Sequence, residues 1–69
     1  MTFGEVLFLY LDELDVSQSE LARRMGVGRQ TINTIINDRK NRPLLETAMK
    51  VSQALGVPLQ DMVERMKED

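Results

Sequence analysis

Residues 17–37 read SQSELARRMGVGRQTINTIIN, and this stretch decides the fold. Ser17 and Glu20 have the spacing of a capping box, in which the hydroxyl accepts the N–H of Glu20 and the carboxylate reaches back to the N–H of Ser17. Val16 and Leu21 stand at the two positions of a hydrophobic staple. The predicted helix runs through Ala22 and Met25 to Gly26, the residue type that best takes a left-handed conformation beyond a helix C-terminus. Only Val27 and Gly28 then precede a second helical run, whose apolar side is Ile32, Ile35 and Ile36. Ala22 is small where the two axes must approach, Val27 plugs the core beneath the turn, and Ile32 and Ile35 anchor the second helix. The pattern is helix, three-residue turn, helix over residues 18–37. It leaves Arg29, Gln30, Asn33 and Thr34 on the outer face of the second helix. Such a helix fits the major groove of DNA, which is about as wide as a helix. The bland alternative is an ordinary corner between two helices of a small bundle.

Working outward, Phe3, Leu7, Tyr10, Leu11 and Leu14 follow the spacing of a buried stripe on a helix that should stop near Asp15. Val6 borders that stripe. Phe8 and Leu9 lie about 120° and 140° from its centre by the 100° step of a helix. On the other side, Asn37-Asp38 supply turn chemistry and Asn41-Arg42-Pro43 reads as a loop, since proline disfavours helical geometry in the residue before it. A fourth helix is predicted near residues 45–55, with Leu45, Ala48, Met49, Ser52 and Leu55 on one face and Gly56 ending it. Pro58 suits the first turn of a fifth helix carrying Leu59, Met62, Val63 and Met66. No strand signal, internal repeat or linker interrupts this. The expectation is a single all-α domain over residues 1–69, a compact bundle of five short helices.

Composition narrows the function. The chain has no cysteine and no histidine, which removes disulfides, Cys/His zinc sites and the usual Ser-His or Cys-His catalytic pairs. Asp12 and Asp15 read as a solvated acidic face rather than a pair of catalytic carboxylates, so neither an enzyme nor a metal or other cofactor is expected. The apolar run Val6–Leu11 is far shorter than the roughly 18 residues needed to span a bilayer, and no base precedes Arg23 to start a signal peptide. A cytoplasmic, nucleoid-associated location is expected. The net charge of −2 is unevenly spread. Residues 1–16 hold four acids and no base, whereas residues 23–42 hold six bases against Asp38 alone, a local net +5. A basic patch on an otherwise acidic chain localises an anion-binding face.

With these residues in place, the chain closely resembles the phage repressor and Cro-like helix-turn-helix family. The resemblance rests on Ser17-Gln18-Ser19-Glu20-Leu21-Ala22, Gly26-Val27, Gln30-Thr31-Ile32-Asn33-Thr34-Ile35 and Asn37. It continues through Arg42-Pro43, Leu45-Glu46-Thr47 and Ala54-Leu55-Gly56-Val57. It implies a repressor-like five-helix domain that regulates transcription by binding double-stranded operators as a homodimer. Gln18 matches a family glutamine that bonds a DNA phosphate. Arg29, Gln30 and Thr34 match positions that reach base edges; of Thr31 and Asn33, which flank them, Asn33 is expected to join the base readers and Thr31 to touch phosphate. Asn37, Lys40 and Arg42 match the loop that clamps the backbone. For Arg39 a solvated charge and a phosphate contact are equal expectations, and one of Arg23 and Arg24 is expected to be solvated.

Departures from the family pattern are also visible. Leu11 and Ile36 stand where many members pair an Arg with a Glu, so an apolar contact is expected there. Leu44 stands where Ser or Thr often caps the fourth helix, and Gly28 where Ser or Thr is common. The first helix carries an apolar surplus, so a dimer or partner surface is expected from Val6, Phe8, Leu9, Met62 and Met66. That surplus also motivates an alternative function, an antitoxin-type module that masks a toxin and autoregulates its operon.

Overall fold

The computed structural model describes residues 1–39 and 44–68. Five helices follow in chain order: α1 (Phe3–Leu14), α2 (Gln18–Met25), α3 (Arg29–Asn37), α4 (Leu45–Leu55) and α5 (Leu59–Met66). No strand occurs among the described residues. α1 packs against α3 and α5, α2 against α3 and α4, and α4 against α5, so every helix contributes to one core.

The local signals explain most boundaries. Asp15 ends α1 in the left-handed region at φ 56°, and Gly26 and Gly56 end α2 and α4 at φ 70° and 69°. Gly28 and Leu44 precede α3 and α4 with no side-chain cap. Ser17 accepts the N–H of Glu20 at 3.0 Å, as its spacing predicts. The returning half of that capping box is not made. The Glu20 carboxylate instead takes Arg23 and Arg24, whose charged donors outcompete a neutral N–H. A complete capping box starts α1, where Thr2 accepts from Glu5 at 3.1 Å and the Glu5 carboxylate accepts the Thr2 N–H at 2.8 Å.

The core is Phe3, Val6, Leu7, Leu11, Leu21, Ala22, Ile32, Ala48, Val51, Leu55 and Met62. This corrects the expected partner surface. Val6 and Met62 are both 0% exposed and belong to the interior. The reason is that α1 lies against two helices, α3 and α5, which widens its buried arc to take in Val6. Met62 is the fully buried residue of α5, the helix that closes on α1 and α4. Leu9 is half-buried, and Met66 is half-buried against the core, its carbonyl accepting the Met1 nitrogen at 2.9 Å. Of that expected set only Phe8 is exposed, at 55%. Leu14, by contrast, was expected inside and is exposed.

α4 is rotated relative to its expected face. Ala48, Val51 and Leu55 point inward, while Leu45 and Met49 are exposed. The close approach of α1 to α3 is made by Gly4: a Cβ there would lie 2.2 Å from the carbonyl oxygen of Ile36. Leu11 is buried in the core, and Ile36 packs half-buried against the same cluster.

Candidate nucleic-acid interface

α3 owes its orientation to apolar residues on its inner side. Ile32 is fully buried, and Ile35 and Ile36 pack half-buried against the core. With those three positions fixed, the 100° step of the helix turns Gln30, Asn33, Thr34 and Asn37 to solvent; Arg29, on the flank nearest Ile36, is exposed as the first residue of α3, and Thr31 is exposed as well. The Gly26 turn sets the angle between α2 and α3, with the Val27 N–H donating to the Ala22 carbonyl at 2.9 Å.

The turn brings Gln18, the first residue of α2, beside the start of α3. Gln18, Arg29, Gln30 and Asn33 line one shallow, open depression. The expected phosphate-binding amide and three of the expected base readers therefore share one surface. Lys40 and Arg42, also expected to bind phosphate, lie outside the described residues.

Hydrogen bonds along α3 set what its side chains offer. The Thr34 hydroxyl donates to the Gln30 carbonyl at 2.9 Å, leaving its oxygen lone pairs and methyl group outward. The Asn37 amide nitrogen donates to the Asn33 carbonyl at 2.9 Å and to Asn33 Oδ1 at 3.0 Å. With one Oδ1 lone pair so engaged, Asn33 keeps its N–H donors and a second lone pair. Arg29 forms no ion pair among the described residues, so its five donors are open to an incoming acceptor. The face thus offers a guanidinium fork, a complete glutamine amide, an amide donor and a methyl-bearing hydroxyl.

The other basic residues divide clearly. Arg23 and Arg24 both pair with Glu20, and Arg24 also donates to the Ala54 carbonyl at 3.1 Å, tying α2 to the end of α4. Arg24 therefore holds the scaffold. Arg65 fastens α5 to α1 through both carboxylate oxygens of Glu13 and lies 4.9 Å from the Tyr10 ring centroid. Arg39 is exposed and near enough to Glu5 to help hold its carboxyl below the ordinary range, after the larger effect of the Thr2 hydrogen bonds. Gly4, the Arg24 tie and the Glu13–Arg65 tie position this face and were not read in the sequence. The T-x-x-E spacing of Thr2 and Glu5 was readable, since it repeats that of Ser17 and Glu20.

Among the described residues, no group of acidic side chains is arranged to hold a metal ion, and no helix is long and apolar enough to cross a membrane. The family model described as helix-turn-helix, of the Cro/C1 type, matches residues 7–62, most of the chain. No curated protein is matched by the sequence.

Proposed function

This chain belongs to the Cro/C1-type helix-turn-helix family of DNA-binding transcriptional regulators, and from that premise we propose that α3 reads an operator in the major groove. The observation that carries the reading is the rotation of α3. Ile32 is buried, and Arg29, Gln30, Asn33 and Thr34 stand together on its solvent side. In this reading Arg29 forks onto the O6 and N7 acceptors of guanine, and Gln30 pairs with N6 and N7 of adenine. Asn33 donates to a base or phosphate acceptor, and Thr34 sets its methyl against thymine. Gln18, Thr31, Asn37, Lys40 and Arg42 hold phosphates and fix the register without reading sequence.

The regulator acts at the nucleoid as a homodimer on a pseudo-palindromic site, each copy taking one half. The described residues measure 29 × 21 × 20 Å, a size that suits one copy per half-site when half-sites are about 34 Å apart. Bound dimers repress by occupying the operator. The antitoxin alternative drew on the apolar surplus of α1, and the burial of Val6 reduces that surplus.

The test is selection of bound sequences from a random duplex library at fixed salt, with the wild type and with Arg29→Ala and Gln30→Ala. Each replacement should relax preference at one position of each half-site and cost about 1–3 kcal/mol of binding. Unchanged affinity and sequence preference in Arg29→Ala would refute the docking.

A further inference from the structure

The largest mismatch between hydropathy and burial lies on α4. Leu44, Leu45 and Met49 are 78%, 68% and 45% exposed, and they stand at the start and along one edge of the same helix. Core packing does not need them, because α4 faces the interior with Ala48, Val51 and Leu55. We infer that this edge of α4 is the surface on which a second copy of the chain docks, antiparallel to the first. The inference rests on the homodimer proposed above and names its face.

Charge identifies the occupant. Leu45 and Met49 are four residues apart and form a short stripe. Glu46 and Lys50 flank that stripe on one side, also four residues apart, and lie 3.3 Å from each other across one helical turn. In an antiparallel pair related by a two-fold axis, the same flank of each helix faces its counterpart with the order reversed. Leu45 then meets Met49 of the second copy, and Glu46 meets Lys50, twice by symmetry. The flank is acid at one end and base at the other, so it complements itself. The leucines and Met49 offer a polyanion no donor, and the Glu46–Lys50 flank is net neutral. The patch is small against the roughly 1,200 Å² that a stable interface buries, so the free dimer is weak and shared DNA strengthens it.

The experiment measures self-association of the full chain by sedimentation over a range of micromolar concentrations. Wild type should show a monomer–dimer equilibrium. Leu45→Glu should abolish it, and Glu46→Lys and Lys50→Glu should each weaken it roughly fivefold, because each sets two like-charge pairs across the axis. Mixing the Glu46→Lys and Lys50→Glu proteins should restore association, since every cross-axis pair in the mixed dimer is then Lys against Glu. All three substituted side chains are exposed, and circular dichroism of each variant checks that the fold is kept. A wild type that stays monomeric, single variants that associate like wild type, or a mixture no tighter than its components would each overturn the inference. Base preference of the same variants separates this from the operator reading: unchanged preference at the positions assigned to Arg29 and Gln30 leaves that reading standing when the α4 face fails.

Discussion

Replacing Gly4 by alanine should destabilise the protein, although alanine is the better helix former. Intrinsic propensity favours alanine by up to about 1 kcal/mol in a helix interior, and by less in the first turn, where Gly4 sits. Packing opposes it. The new Cβ would lie 2.2 Å from the carbonyl oxygen of Ile36 and 2.7 Å from that of Ile35, both inside ordinary contact. Only the Ile36 overlap exceeds about 1 Å, but both atoms are backbone, so no rotamer change relieves either, and α1 must back away from the end of α3. Overpacking of this kind costs about 1–3 kcal/mol and outweighs the propensity gain. A chain of 69 residues has a total stability of roughly 3–10 kcal/mol, so the loss is a sizeable share. At about 4–8 °C per kcal/mol for a domain this small, Tm should fall by roughly 5–20 °C in a thermal melt followed by circular dichroism. Operator affinity should drop as well, because the displaced helix bears on α3, the helix proposed to enter the groove. Adding Ile36→Ala should not rescue the variant, since the obstructing oxygen remains. A Tm equal to or above wild type, or rescue by Ile36→Ala, would refute the reasoning.

Met62→Ala should cost about 2–5 kcal/mol in urea unfolding, the range for a buried methionine, whereas Phe8→Ala should change stability by no more than about 0.5 kcal/mol. Equal effects would return Met62 to the surface. Gly28→Ser should raise stability by a few tenths of a kcal/mol, because a hydroxyl would cap an α3 that now has no side-chain cap, and no atom lies within 4 Å of the added Cβ; a lower Tm would count against this. Lys40→Ala and Arg42→Ala should weaken binding on all DNA sequences alike and reduce the salt slope by about one unit each, measured by titrations at several salt concentrations. Acid should loosen the fold. The Thr2 N–H, the Arg65 guanidinium and the Arg23 guanidinium hold the carboxyls of Glu5, Glu13 and Glu20 below the ordinary glutamate range. Groups depressed on folding contribute fully above their unfolded values near 4.3, and that contribution is lost as pH falls through the lower folded values. Tm should therefore be level from neutral pH to about 5 and decline below about 4, with Glu13→Gln removing part of the decline. A Tm that rose on acidification would contradict the sign.

What the sequence determined by itself was local. Helix ends follow from the φ tolerance of glycine at 26 and 56 and from the hydroxyl of Ser17, which act within one turn. The outer face of α3, which we propose reads bases, was legible for the same reason: Ile32 and Ile35 mark an inner side, and the 100° step then assigns Gln30, Asn33 and Thr34 to the outer one. What only the tertiary structure decided was how wide each buried arc is, since that depends on the number of neighbours a helix has. Val6 went inside because α1 touches two helices, and Met62 because α5 closes against α1 and α4. α4 turned Leu45 and Met49 outward because its neighbours α2 and α5 lie on the side of Ala48, Val51 and Leu55. The same holds for Gly4, Arg24 and Arg65. Their partners Ile36, Ala54 and Glu13 are between 30 and 52 residues away, beyond the reach of any helical period.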